Sequence, residues 1–288
     1  MRVLSLFDGI SAGQLALQRA GIDVETYYAS EIDKYAIQVT KKNFPNTIHL
    51  GDITKWQEWD IDWSSIDLVI GGSPCQGFSF AGKQLNFEDP RSRLFFVFVD
   101  ICHRVIDENP KMKFLLENVR MKKEYQDVIT QYMGVSPIAI NSSLVSAQNR
   151  YRLYWTNIQN VSKPIDKQIT FKDIIQDYAD ERYYYSDIVM DRLDVSEINL
   201  TGMVGYKSKG KEVDKCGTLL ARDYKGMSNQ QYPTIKQNNR FRKPTPIEYE
   251  RLQTFPDNWT EGISSTQRYK ALGNSWTVDV ITHIFKNL

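Results

Sequence analysis

Residues 67–84, DLVIGGSPCQGFSFAGKQ, carry the reading on which the fold and the chemistry turn. Asp67 to Ile70 reads as a buried strand, Gly71 and Gly72 follow, and Ser73-Pro74-Cys75-Gln76 stands at the strand's carboxyl end, where open α/β sheets keep their reactive groups. A thiol on a rigid Pro-Cys turn, followed by a glycine- and serine-containing loop able to close over it, suits a nucleophile that attacks and must later leave. A lone cysteine is more often a small buried hydrophobe, so the neighbours have to decide.

Working outward, the N-terminal side opens a βαβ unit. Arg2 to Phe7 is β-compatible, Asp8 to Gly13 is a tight loop, and Gln14 to Ala20 reads as a helix with Gly21 as its C′ residue. Further strands at Glu25–Ser30 and Thr47–Leu50 end in Glu31 and in Gly51-Asp52. Glu31 lies 22 residues after Gly9, the separation at which an acidic side chain meets ribose hydroxyls in nucleotide-binding α/β folds, and Asp52 is placed to accept from an adenine amino group. The loop lacks the full G-x-G-x-x-G, so a close approach to a pyrophosphate is not indicated.

On the other side, Arg91–Glu108 has apolar residues at helical spacing and places Cys102 on the core stripe. Lys113–Leu116 is a strand running into Glu117, Tyr125–Met133 a helix ended by Gly134, and Leu153–Ile158 another strand. Arg150 and Arg152, two apart on an extended segment, are expected on one face. Periodicity then loosens until Thr245-Pro246-Ile247-Glu248, a capping box with Pro at the first helical position; Leu272 to Trp276 precedes an amphipathic C-terminal helix.

Composition bounds the function. The chain has 288 residues, 25% charged and 41% hydrophobic, with a net charge of +1, which describes an ordinary globular protein and not a wholly basic one. Neither a signal peptide nor a membrane span is indicated, so the expected location is the cytoplasm. Cys75, Cys102 and Cys216 form no CxxC pair and the three histidines are scattered, which argues against a disulfide framework and against a metal site. Basic charge is local: residues 200–243 hold ten basic side chains, including Lys207, Lys209, Lys211, Arg222 and Arg242, against three acidic ones. Such a run is either a solvated loop face or part of a polyanion-binding surface.

Taken together, LFDGISAG (Leu6 to Gly13), GGSPCQGFS (Gly71 to Ser79), ENV (Glu117 to Val119), QNRYR (Gln148 to Arg152), ERLQTFPD (Glu250 to Asp257) and GNSW (Gly273 to Trp276) resemble the ordered motif series of the cytosine-5 DNA methyltransferases. The likeness spans residues 3–285. Ser11-Ala12-Gly13, Ala147 and Trp276 depart from the commoner pattern and are more similar to the eukaryotic de novo branch and its short bacterial or phage relatives.

The resemblance implies a Rossmann-like, S-adenosylmethionine-dependent α/β domain over residues 1–160, completed by 262–288, with a smaller target-recognition domain at 161–261. It implies Cys75 as nucleophile at carbon 6 of a flipped-out cytosine, Glu117 at ring nitrogen 3 and the exocyclic amino group, Arg152 at the carbonyl, and Arg150 as a second cation. It implies cofactor contacts from Phe7, Gly9, Ile10, Glu31, Ile32, Asp52, Ile53, Pro74, Leu94, Asn274 and Ser275, and DNA contacts from Gln76, Ser79, Thr218, Leu219 and Arg222. The expected partner is double-stranded DNA, bound by a monomeric prokaryotic or phage enzyme without metal or membrane. An RNA-directed relative and a catalytically silent DNA-binding homologue are the alternative readings; intact Cys75, Glu117 and Arg152 argue against the second.

Overall fold

A computed structural model describes residues 1–73, 93–186, 202–204, 212–225, 234–237 and 240–288. Pro74, Cys75, Gln76, Ser79 and the three lysines at 207, 209 and 211 lie outside the described residues. The chain divides into two compact units, one made of Met1–Ile140, Tyr151–Lys163 and Val278–Leu288, the other of Asn141–Arg150 and Pro164–Thr277.

The first unit is built on a seven-stranded sheet: β1 (Arg2–Leu6), β2 (Thr26–Ser30), β3 (Ile48–His49), β4 (Leu68–Gly71), β5 (Lys113–Val119), β6 (Ile138–Asn141) and β7 (Tyr151–Thr156), in the order β3-β2-β1-β4-β5-β7-β6. The first five strands pair in parallel, and β7 enters antiparallel to β5. Helices α1 (Ala12–Ala20), α2 (Lys34–Asn43), α3 (Arg93–Glu108) and α4 (Lys123–Met133) make the crossovers. This is the α/β sheet that the resemblance implies, and its strand order reverses between β1 and β4, where such sheets open a ligand crevice at their carboxyl ends.

Residue alternation explains the core. Leu4, Leu6, Val69, Phe114, Leu116, Leu153 and Trp155 share one face of the sheet and form one cluster with Phe95, Phe98, Val99, Cys102 and Val105 of α3 and Ile129 of α4. Leu115 and Glu117 therefore turn to the opposite face. Gly71 ends β4 without a side chain because a Cβ there would stand 2.8 Å from the Leu6 carbonyl oxygen and 3.0 Å from the Phe98 ring. The C-terminal α7 (Val278–Phe285) packs on α1, and Arg19 Nη1 meets Asp279 Oδ1 at 2.8 Å.

Several local expectations hold with shifted ends. Gly21 caps α1 in the left-handed conformation at φ 77°, but the helix begins at Ala12, two residues early. Strand β5 continues through Glu117 to Val119 because β7 pairs along it, and β7 starts at Tyr151 for the same reason.

The second unit contains a four-stranded antiparallel sheet, β8 (Gly202–Val204), β9 (Glu212–Val213), β10 (Thr234–Gln237) and β11 (Arg240–Arg242), in the order β11-β10-β8-β9, with helices α5 (Pro246–Leu252) and α6 (Ser265–Asn274). The capping box at Thr245 and Glu248 is present in both halves, with Pro246 opening the helix. Glu248 does more than cap: it is wholly buried and takes both arms of an equally buried Arg242, at 2.7 and 2.8 Å. Arg242 Nε also donates to Gln237 Oε1 at 2.6 Å. The basic run of 200–243 thus overstates the surface charge, since Arg242 is an interior residue and Arg240 is held by Glu181.

A buried pair with all its hydrogen bonds made leaves a stranded charge when one partner goes. Arg242→Met is expected to destabilise the protein by about 3–5 kcal/mol, and Arg242→Met with Glu248→Met by clearly less. Urea denaturation of the single and double variants checks this; equal losses would mean that the ion pair is not the source.

Candidate active site

The loop after β1 is unusual in its backbone. Phe7, Gly9 and Ser11 all lie in the left-handed region, at φ 59°, 60° and 58°. Glu31, at the end of neighbouring β2, binds this loop: its Oε2 accepts the Gly9 N–H at 2.8 Å while Oε1 accepts the amides of Ile32 and Asp33 at 2.7 and 2.8 Å. Three amides occupy three of roughly four lone-pair positions, so Oε2 retains capacity for one further hydroxyl donor.

Beside it the apolar Ile32 is 74% exposed, whereas Ile10 and Ile53 are buried. Asp52 Oδ1 caps the following turn by accepting from the Thr54 N–H and hydroxyl at 2.8 and 2.9 Å, and these bonds hold its carboxyl below the usual range. Leu94, near the start of α3, is half-buried against the same core. The Gly9 loop, Glu31 and Asp52 follow the adjacent strands β1, β2 and β3 along one sheet edge, Leu94 comes from α3, and the acceptors among them could hold an adenosine with free ribose hydroxyls.

Further along that edge, Glu117 is 9% exposed and its Oε1 meets Arg152 Nε at 2.8 Å. The register explains the meeting: Glu117 is opposite Tyr154, and Arg152 lies two residues before Tyr154 on the same face, the diagonal position that long side chains reach. Arg152 Nη1 donates to its neighbour's carbonyl, Tyr151 O, at 2.9 Å, and Nη2 makes no hydrogen bond to a described residue. Asn118 Nδ2 donates to Ser73 Oγ at 3.2 Å, tying β5 to the chain two residues before Cys75. Cys102 and Cys216 are both buried, and burial pushes both thiols far up, which makes each inert as a nucleophile.

Arg150 is placed differently from Arg152. It belongs to the second unit, is buried, and donates to the carbonyls of Leu219 at 3.1 Å, Gly273 at 3.3 Å and Ser275 at 2.9 Å. The same-face expectation for the two arginines ends where strand β7 begins, at Tyr151, because Arg150 precedes the sheet pairing. Ser275 is buried and Asn274 exposed at the end of α6, and Gly273 is required there: a Cβ would fall 2.3 Å from the backbone of Leu220. Thr218 donates its hydroxyl to Asn149 O at 2.7 Å, while Leu219 is 1% exposed and acts as a packing anchor. Arg222 is exposed; next to it, burial pushes the Asp223 carboxyl up to about 6.

Sequence reading passes over four residues. Asn118 sits inside a strand, where Asn is disfavoured, and that mismatch was the available signal. Gln148 and Gln253 were visible only as motif letters; buried, they join each other at 3.1 Å and link Leu219, Leu272, Ser275 and Thr277. Asp8 gathers three hydroxyls, and nothing in its spacing announces them.

Among the described residues no helix is long and apolar enough to cross a membrane, and no group of His, Cys, Asp and Glu is placed to hold a metal ion. The chain is 34% identical over 313 residues to the type II methyltransferase M1.ScrFI of Lactococcus lactis subsp. cremoris, covering all of this chain and 77% of that protein. It is 33% identical over 307 residues to the type II methyltransferase M.NlaX of Neisseria lactamica, covering all of this chain and 96% of that one. The structure of the Entamoeba histolytica methyltransferase EhMeth shares the fold at a TM-score of 0.76 and 17% identity, with 100% of this chain and 97% of that chain covered. A family model for C-5 cytosine-specific DNA methylase matches residues 1–288, and the chain belongs to that family.

Proposed function

We propose that the carboxyl edge of the first unit's sheet methylates carbon 5 of a cytosine turned out of duplex DNA, using S-adenosylmethionine. The observation that carries this is the Glu117–Arg152 pair at 2.8 Å, on the same edge as the Glu31-bound glycine loop and the carboxyl end of β4. The base must leave the stack, since neither face of carbon 6 nor the nitrogen 3 edge can be reached inside a duplex.

Cys75 thiolate adds at carbon 6, and the electron pair of the 5,6 double bond moves so that carbon 5 becomes nucleophilic. Glu117 hydrogen-bonds ring nitrogen 3, carries the proton that this nitrogen takes up, and accepts from the exocyclic amino group. Arg152, anchored through Nε and Nη1, has Nη2 to offer the carbonyl at position 2. S-adenosylmethionine, when bound, supplies the electrophilic methyl carbon. Loss of the carbon 5 proton then expels the Cys75 sulfur and restores the ring.

Glu31 takes a ribose hydroxyl, Ile32 lies against the adenine, Asp52 accepts from its amino group, and Phe7, Gly9, Leu94 and Pro74 line the remainder, with the buried Ile10 and Ile53 packed behind them. Arg150 acts through the backbone it holds, including the carbonyls of Gly273 and Ser275, and so is a positioning residue. In the second unit Arg222 reads a base edge and Thr218 supports its segment, with Lys207, Lys209 and Lys211 on phosphates.

Three outcomes follow. Cys75→Ala abolishes methyl transfer while S-adenosylmethionine affinity stays within about threefold, and wild type traps a denaturation-resistant adduct on 5-fluorocytosine DNA, because fluorine cannot leave as a proton does; absence of that adduct on a denaturing gel overturns the covalent route. Glu117→Gln lowers kcat by about 10²–10⁴-fold with cofactor affinity unchanged, as single-turnover kinetics and calorimetry would record. Arg222→Ala relaxes sequence choice at one position with an unchanged salt slope, whereas Gln at the three lysines flattens the slope by about 0.9 per lost phosphate contact. Filter binding across a salt series with bisulfite sequencing of a randomised target pool separates the two; a lysine variant that changes the methylated sequence at constant slope refutes the assignment.

A further inference from the structure

Asp8 is a carboxylate that the chemistry above does not use, yet its surroundings are arranged around it. Ser5 Oγ and Tyr27 Oη donate to Oδ1 at 2.7 and 2.8 Å, and Ser11 Oγ donates to Oδ2 at 2.6 Å. Burial pushes the carboxyl up to about 6 even though the three hydroxyls pull it back, and Glu31 is a like charge nearby. Tyr27, on β2, is pushed in the same direction and stays a neutral donor. Thr40 on α2 is uncharged, and among the described residues no cation pairs with Asp8.

A buried carboxylate without a counter-cation works against the fold. Its pKa is raised on folding, so its stabilising contribution is present below about pH 4 and is lost as pH rises through 6. What it holds is the strained loop, in which Phe7 and Ser11 keep side chains at a positive φ that glycine alone tolerates freely. Glu31 fixes the Gly9 amide and Asp8 fixes Ser11; because ionised Asp8 is acceptor-only, Ser11 Oγ is left to accept from Thr40 Oγ1, 3.2 Å away.

We propose that Asp8 is a positioning residue for the cofactor: through Ser11 it keeps the Phe7–Ser11 loop in the left-handed form that receives S-adenosylmethionine. This rests on the cofactor assigned above. It makes cofactor affinity and fold stability respond to pH in opposite directions, which a merely structural residue does not do.

The test is calorimetric titration of S-adenosylmethionine into the full chain between pH 5 and 8, for wild type, Asp8→Asn, Ser11→Ala and Ser11→Gly, with urea midpoints over the same range. Wild-type affinity should fall about tenfold from pH 7 to pH 5, following the ionised fraction of a group titrating near 6, while this group's contribution to stability rises. Asp8→Asn should bind about tenfold more weakly at pH 8, lose that pH dependence, be no less stable than wild type at pH 7, and raise KM for the cofactor with kcat nearly kept. Ser11→Ala should weaken binding about fivefold or more, while Ser11→Gly stays within about threefold, since glycine takes φ 58° without strain. Unchanged affinity and pH profile in Asp8→Asn overturn the proposal. If that variant does not fold, equal affinities of Ser11→Ala and Ser11→Gly overturn it alone. A folded wild type that binds no S-adenosylmethionine at any pH overturns the cofactor assignment, and the proposal with it.

Discussion

The antiparallel pairing of β7 on β5 is the constraint on which the site depends. Side chains alternate with period two, so the register that sets Glu117 opposite Tyr154 also sets Arg152 on the same face, within reach of the carboxylate. A slip of one residue would send Arg152 to the face of Leu116 and Trp155, into the apolar cluster with α3. That cluster is what forbids the slip. Burial of one face of the sheet thereby aims the polar pair on the other, and core packing and the placing of Glu117 beside Arg152 are two consequences of one register.

The parallel strands supply a second constraint. Because β1 to β5 run the same way, their carboxyl ends lie along one edge, and each contributes one element there: the positive-φ loop, Glu31, Asp52, the strand into Ser73, and Glu117. Gly71 allows β1, β4 and α3 to approach closely beneath that edge. The polar groups on it are held mostly by backbone amides and hydroxyls, as with Glu31 and Asp8. Such donors fix a carboxylate's position without the bulk of a cationic side chain.

Three arginines of the second unit are turned inward. Arg242 closes on Glu248 at zero exposure, Arg268 reaches the buried Glu250 at 2.8 Å, and Arg150 ties Leu219 to the Gly273–Ser275 turn. Charge counted along the chain therefore does not measure charge on the surface. The exposed Arg222 and the buried Arg242 are equal letters in the sequence with different electrostatic consequences.

The sequence by itself determined what depends on near neighbours: the strands of the βαβ opening, the Gly21 cap, the Thr245–Glu248 capping box, and Cys102 on the apolar stripe of α3. Motif order along the chain was likewise enough to point to the family. Tertiary structure alone decided what depends on partners far away in sequence. It separated Arg150 from Arg152, although the two share a chemistry and lie two residues apart, because one finds carbonyls about 70 and 120 positions on and the other finds a carboxylate across a strand. It gathered Ser5, Ser11 and Tyr27 around Asp8 and buried Arg242 with Glu248. Hydrogen bonding and desolvation act at a few ångströms regardless of chain separation, so a side chain's role follows from the neighbours that folding brings to it, and those are not written in its own stretch of sequence.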